Sequence, residues 1–452
     1  MNAEFSVAVT GDSIVNRRLS VYSDERFLSM IKVLREADVA YTHLETLIHD
    51  YDGPEVYPAA DAGWTWMRSP SFMAEELKWA GFDIVSHASN HSLDYSYGGL
   101  ISTWKALDEA GLPYAGTGKT LGDAREAAYL DTGKGRAALI SMTSSFNGWT
   151  RAGETRRDVK GRPGVNPLRY HFMVDSDTME MIKQLAFKFG WWITQAENAW
   201  LFNPPGLHNT ICKFVEGSEP GIVPVADEDD VDGNLRSIRN AKRQADTVLV
   251  HLHIHEWDPE QGLDTPPKFV PPFARTCIDA GADAFIAQGS HSPLRGIEIY
   301  KNKPIFYDPG DFMGMSNTVT RLPSDFYWRA GYSPEARKWE ATTADAFDAR
   351  MPLLYPEKQL SPPGGYFSAP VPGAIIGVCS FGEGGELVEL KVYPVTLLHE
   401  PRPQSGRPML ADEEMAKKII DYLGSCTADA AQRLSMSRGA PGTYPQHTSF
   451  IR

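Results

Sequence analysis

The stretch Phe82-Asp83-Ile84-Val85-Ser86-His87-Ala88-Ser89-Asn90-His91 decides the fold. Its first four residues read as a short strand, and the polar run behind them sets an amide and an imidazole at the strand's carboxyl end. The same arrangement recurs along the chain. Residues 5–10 form a short β-branched run that stops at Gly11-Asp12, and residues 38–44 read as a strand ending at Glu45. Residues 137–142 read as a further strand; residues 247–253 close on His251 and His253, with His255 just beyond, and residues 284–287 lead to His291. Helices separate these strands. Residues 25–36 space Phe27, Leu28, Ile31 and Leu34 at helical intervals, Pro70 opens a helix through Trp79 that Gly81 stops, and further helices are read at 99–110, ending at Gly111, and near 235–243 and 271–280. The alternation predicts an α/β chain. In such sheets ligands bind outside the carboxyl ends of the strands. Five strand ends therefore present an Asp, a Glu, an Asn and several His to one rim, and oxygen and imidazole donors arriving together suit a divalent cation.

Composition narrows the remaining choices. At 452 residues the chain exceeds what one core usually fills, so one large domain with insertions, or two domains, is expected. Hydrophobic content of 42% and charged content of 23% exclude wholesale disorder. Forty-four basic against 58 acidic residues give −14, which argues against a basic nucleic-acid surface. Cys212, Cys277, Cys379 and Cys426 form no CxxC pair and read as reduced thiols. The N-terminus has no signal-peptide pattern and no apolar run approaches the roughly 18 residues of a membrane span. A soluble, cytoplasmic chain is expected, with no nucleic-acid partner and its oligomeric state open.

Two stretches break the alternation. Residues 146–232 mix Gly, Pro, charge and a Trp191/Trp192/Trp200 cluster, which reads as the packed core of an insertion rather than an aromatic pocket. Residues 313–370 are again irregular. Hairpins are expected at 297–300/305–307 and at 375–380/387–392, the second around Gly382-Glu383-Gly384-Gly385. The expected division is a domain over 1–400 containing both insertions, then a C-terminal helix (412–423) and a flexible Ser/Gly/Pro-rich tail over 401–452. Asp227-Glu228-Asp229-Asp230 reads as a solvated acidic loop. Arg17 and Arg18, after the Asp12 loop, are candidate substrate-binding residues for a carboxylate or phosphate, or else solvated helix-start charges. Gly116-Thr117-Gly118-Lys119-Thr120 lacks the upstream glycine of a phosphate loop.

The chain resembles the CapA family of poly-γ-glutamate capsule biosynthesis. The likeness lies in Val7–Asp12 (VAVTGD), Tyr41–Glu45 (YTHLE), Phe82–Tyr95, Gly116-Thr117-Gly118, Val248–His253, Gly281-Ala282-Asp283, Gly289-Ser290-His291-Ser292-Pro293 and Lys303–Phe312. These segments run in order across residues 5–312. The resemblance implies a calcineurin-like metallophosphatase fold, a two-sheet α/β sandwich with helices outside and metal ligands on loops at one edge. It implies Asp12, Glu45, Asn90, His253 and His291 as the metal shell, His91 as an acid/base residue, and Asp94 as the group orienting its imidazole. The chain departs from the family pattern at three places. Gly289-Ser290-His291 stands where relatives carry a His-His-Pro-His-like run, His253-Ile254-His255-Glu256-Trp257 replaces His-Trp-Gly-x-Glu, and Pro309-Gly310-Asp311 replaces Leu-Gly-Asn. One metal ion or two, and Mn, Zn, Mg or Ca, therefore all stay open, as does which of His251, His253 and His255 is a ligand.

The leading expectation is a metal-dependent hydrolase acting on a peptide-like or γ-glutamyl amide, a phosphoester ranking second, with His91 and His255 as acid/base groups. A metal-dependent peptide epimerase using His and Asp groups, with Asp308 and Asp311 near the rim, is the second enzyme class. A non-catalytic module holding a polyanion or peptide at the metal rim is the third reading.

Overall fold

The computed structural model describes residues 5–62, 65–205, 212–291, 294–329, 335, 337–350, 371–427, 434–437 and 447–450. Two sheets carry the architecture. The neighbours in the first are Leu434–Ser437, His447–Phe450, Leu387–Leu397, Ala374–Phe381, Phe5–Ile14, Val39–Leu44, Ile84–Ser86 and Tyr114–Ala115. Asp311–Gly314 and Pro408–Leu410 join it as branches. The second sheet runs Ile297–Tyr300, Lys303–Phe306, Ala284–Gln288, Thr247–His253, Gly135–Thr143 and Ala128–Thr132. The first sheet is parallel from Phe5–Ile14 to the edge strand Tyr114–Ala115 and antiparallel on the other side, whereas the second has a parallel centre flanked by antiparallel strands.

The alternation of side chains along each strand builds four layers. Val7, Val9, Val39, Tyr41 and Ile84 of the first sheet meet Leu139, Leu249, Ala284 and Ile286 of the second in a core between the sheets. The opposite residues of the same strands, Ala8, Ala40 and Val85, face Phe27, Met30, Leu34, Met73 and Leu77 of the helices Glu25–Glu36 and Met73–Ala80. On the far side Ile140, Val248, Val250 and Phe285 pack against Leu235, Ile238, Val270 and Phe273 of the helices Glu228–Lys242 and Val270–Asp279. This is the α/β two-sheet sandwich with helices outside that the sequence implies. Among the described residues no helix is long and apolar enough to cross a membrane.

Several local expectations change. The first insertion is more regular than its composition suggests. Trp192–Ala196, Ala199–Asn203, Cys212–Glu216, Tyr170–Val174 and Ile222–Ala226 form a five-stranded sheet, covered by the helix Ser176–Lys188. Trp191 and Trp200 pack with Phe202 and Phe214 in its own small core, while Trp192 is exposed. The acidic run is not a solvated loop. Asp227 caps the helix Glu228–Lys242 by accepting from the Asp230 amide, where negative charge complements the helix dipole. Asp230 is buried and joins Arg125 (2.8 Å) and Arg169 (2.6 Å).

Within 313–370, Ser324–Trp328 and Thr343–Arg350 are helical and bring Phe326 and Phe347 against Trp66 and Tyr95. Residues 330–334, 336 and 351–370 of that stretch lie outside the described residues. The C-terminal helix Glu413–Cys426 inserts Ile419, Ile420 and Leu423 into the core between the sheets. In the tail expected to be flexible, Leu434–Ser437 and His447–Phe450 pair with each other and the latter with Leu387–Leu397. The rest of 428–452 lies outside the described residues.

Candidate metal centre

The parallel registers bring the strand ends level. Asp12 is the Cα partner of His43, His43 of Ser86, and His253 of both Thr143 and Gln288. Asp12 and Glu45 thus rise from one sheet and His253 from the other, at the same end of the sandwich. The loops behind them are tightly held. Ser92 Oγ donates to His87 O (2.6 Å), the Ser89 amide donates to Ser92 Oγ (2.9 Å), and the His91 amide donates to Ser89 Oγ (3.1 Å), fixing the turn that carries Asn90 and His91. Gly289, at φ +120°, lies against the His253 ring: a Cβ there would sit 2.8 Å from Cε1. That contact and the positive φ call for glycine here, two residues before His291.

Around Glu45 the imidazoles crowd together. Its Oε1 lies 3.5 Å from His253 Nε2, 4.0 Å from His255 Nε2 and 3.3 Å from His291 Nε2. His253 Nε2 is 3.0 Å from Asn90 Oδ1 and 3.3 Å from His255 Nε2. Asp12 stands 4.0 Å from His253 Nδ1 and 3.9 Å from His291 Nδ1, and it accepts from Gln288 Nε2 at 3.2 Å. Among the described residues, three groupings of ligand atoms lie within 4.8 Å of one another: Asp12/His43/His253, Glu45/His255/His291 and Asp12/His291/Asp311. Asp12, Glu45 and His253 are fully buried.

The charges in this cluster ask for a counter-charge. Burial pushes the Asp12 carboxyl well above its usual range, and Glu45 pushes it the same way. Burial, reinforced by His255 and His43, holds His253 well below the ordinary imidazole value, and burial with His291 does the same to His255. Burial pulls on His291 too, but Glu45 and Asp311 outweigh it and hold that imidazolium well above 6.5. Asp12 Oδ2, both Glu45 carboxylate oxygens and His253 Nδ1 are buried with no hydrogen-bond partner. Orphaned carboxylate oxygens and neutral imidazole nitrogens facing one another fit a divalent cation, which would pair these lone pairs at once. Asp12, Glu45, Asn90, His253 and His291 are brought together around this space.

Beside the cluster stands a carboxylate–imidazole pair. His91 Nδ1 is 2.6 Å from Asp94 Oδ2, which also accepts from the Met67 amide at 2.7 Å. Burial would depress His91, but the Asp94 charge and hydrogen bond outweigh it and raise its pKa, with a smaller push from Glu45. A second such pair joins His291 Nδ1 to Asp311 Oδ1 at 3.0 Å.

Other expectations fall differently. His251 shares the inward face with His253 but lies deeper, 2.9 Å from Ser141 Oγ, and burial lowers its pKa to about 3. His255 lies past the strand end, its ring at 88° to that of His253, and it stands within the Glu45/His291 grouping. Arg17 donates to the carbonyls of Pro403 and Ser405, and Arg18 pairs with Glu76 at 2.8 Å. Both guanidiniums thus have partners within the chain, Arg17 in the Pro403–Ser405 segment and the half-exposed Arg18 on the helix Met73–Ala80. Ser292 and Pro293 lie outside the described residues. Sequence reading missed His43, whose only signal was its place two residues before Glu45 on the same face as Tyr41. It noted Asp311 near the rim without placing it among the ligands.

Fold and site together define an α/β sandwich protein with a candidate metal centre at its strand ends. The chain belongs to the bacterial capsule synthesis protein family PGA_cap, whose model matches residues 6–316. It is 32% identical over 461 residues to an uncharacterized protein of Sinorhizobium fredii, covering 99% of this chain and 93% of the relative. A probable polyglutamine synthesis accessory protein of Mycobacterium tuberculosis is 30% identical over 50% of this chain and 44% of its own length. The capsule biosynthesis protein CapA of Bacillus anthracis is 24% identical over 69% of this chain and 60% of its own. A solved putative 5'-nucleotidase from Staphylococcus aureus, in complex with alpha-ketoglutarate, aligns over 93% of this chain and 59% of that one at 12% identity. The TM-score of that alignment is 0.35.

Proposed function

We propose that the protein is a metal-dependent hydrolase acting on a peptide-like or γ-glutamyl amide. The observation that carries this reading is the convergence of Asp12, Glu45, Asn90, His253 and His291, with unpaired buried atoms on Asp12, Glu45 and His253, beside the His91–Asp94 pair. Asp12, Glu45, Asn90, His253 and His291 would hold a divalent cation there, and the chemistry it would supply is Lewis acidity and a more acidic water. The protein's own groups do the rest. Asp94 fixes the His91 ring through Nδ1 and favours its protonated form, so Nε2 is left to give a proton to the leaving amide nitrogen. Asn90 and Gln288 hold His253 and Asp12 in place through their amides. The amide preference draws on the names of the relatives, polyglutamine synthesis accessory protein and capsule biosynthesis protein.

Metal removal tests the proposal. After chelation to a verified metal-free state, cleavage of γ-glutamyl amides and phosphoesters should disappear, and it should return on adding back a divalent cation. Undiminished turnover by the stripped protein would overturn the reading. Asp311, paired with His291 and outside the five proposed ligands, favours an epimerase as the runner-up, since it offers a carboxylate acid/base group at the rim. Incubation in deuterium oxide separates the two: label at an α-carbon without cleavage marks epimerisation, and cleaved product marks hydrolysis.

A further inference from the structure

We propose that His43 is an additional metal ligand, forming with Asp12 and His253 a nitrogen-rich inner cation position between the sheets; this rests on reading the rim as a metal centre. His43 comes from the strand Val39–Leu44 and is the Cα partner of Asp12, so both side chains leave adjacent strands at the same level. It is fully buried. Its Nδ1 lies 2.8 Å from Ser86 Oγ, which is 2.7 Å from Tyr41 Oη. Its Nε2 is buried and has no partner. With Nδ1–H donating to Ser86, Nε2 carries the free lone pair.

His253 reaches the same place from the opposite sheet. Its Nε2 lies 3.0 Å from Asn90 Oδ1, and donation there leaves the lone pair on Nδ1, which is itself buried without a partner and 4.0 Å from Asp12 Oδ1. Asp12 Oδ2 is the third unpartnered buried atom. Asp12, His43 and His253 thus offer one carboxylate and two imidazoles with ligand atoms within 4.8 Å of one another.

His251 is the internal contrast. Its ring stacks on His43 at 4.5 Å, it is equally buried, and its Nε2 is also unpartnered. Yet among the described residues it stands in none of the three groupings. Burial of an imidazole does not single out His43; convergence on Asp12 does. Two nitrogens and a carboxylate favour a borderline ion such as zinc or cobalt over magnesium or calcium, which prefer all-oxygen shells.

The full chain, stripped of metal, is titrated with cobalt(II) while visible absorption and elemental analysis report coordination and stoichiometry. Thermal midpoints of the metal-free proteins check folding. The comparison is wild type, His43→Gln and His251→Gln. His43→Gln should lose one equivalent of cobalt or bind it at least about 100-fold more weakly, with an altered absorption band, because a lost ligand costs no less than the roughly 10–100-fold of a lost outer partner. His251→Gln should match wild type. The inference is overturned if His43→Gln keeps wild-type affinity, stoichiometry and band, or if both variants lose cobalt equally. Should His43→Gln fail to fold, Ser86→Ala carries the test: it keeps the ring and removes its orienting partner, and unchanged cobalt binding would count against the assignment. Failure of wild type to bind cobalt at all would sink the metal-centre reading itself, a result distinguishable from loss of His43 alone.

Discussion

Replacing His91 with Gln should lower kcat by about 10²–10⁴, the range a positioned acid/base group contributes, while leaving metal content unchanged. The expectation follows from geometry: His91 is buried, its Nδ1 is taken by Asp94 at 2.6 Å, and Asp94 is itself anchored by the Met67 amide. Gln keeps a polar side chain there but carries no titratable proton. Asp94→Asn makes a subtler case. The Asp94 charge raises the His91 pKa above its ordinary value, so removing it lowers that pKa. A proton donor works only below its pKa. The alkaline loss of activity should therefore move to lower pH in Asp94→Asn, with a smaller fall in kcat than in His91→Gln. A pH–rate profile checks this, and an unmoved alkaline limb would remove Asp94 from the role given to it.

The second large effect is on the scaffold. Gly11 lies in the strand Phe5–Ile14, at the irregularity between Val9 and Asp12 where the register with Val39–Leu44 shifts. A Cβ at Gly11 would sit 1.7 Å from the carbonyl oxygen of Gly310 and 2.9 Å from its carbonyl carbon. Both atoms are backbone, so no rotamer change relieves the clash. The turn Pro309-Gly310 would have to move, and with it Asp311, which pairs with both Asp12 in the sheet and His291 at the rim. Gly11→Ala should cost about 4 kcal/mol or more, among the exceptional single substitutions. It should also weaken metal binding, since Asp12 is the next residue. Chemical denaturation measures the first and cobalt titration the second; a variant as stable as wild type would mean the two backbones do not approach as described.

Much of this was legible in the residues. The strand ends before Glu45 and Asn90 announce themselves because short apolar runs give way abruptly to polar side chains, and parallel sheets gather such ends at one rim, whereas the strand expected to stop at Gly11-Asp12 runs on to Ile14 with Asp12 inside it. The helix Glu25–Glu36 shows through its apolar spacing, and Met73–Ala80 through Pro70 before it and Gly81 at its end. What stayed hidden did so for identifiable reasons. His43 sits inside a strand buried on both faces, where alternation gives no contrast between core and site. The insertion sheet uses five-residue strands interrupted by Pro, Gly and charge, too short for periodicity to stand out. Asp227–Asp230 reads as a loop by hydrophobicity, whereas its charges serve a helix start and a buried pairing with Arg125 and Arg169. Arg17 and Arg18 follow the Asp12 loop in sequence, but nearness along the chain does not say which way a long side chain turns.

The most direct measurement is an anomalous-scattering map from crystals loaded with zinc or manganese. The account predicts a peak enclosed by Asp12, Glu45, Asn90, His253 and His291. A fully loaded crystal with no peak among those side chains, or with its ions bound only elsewhere on the molecule, would contradict it.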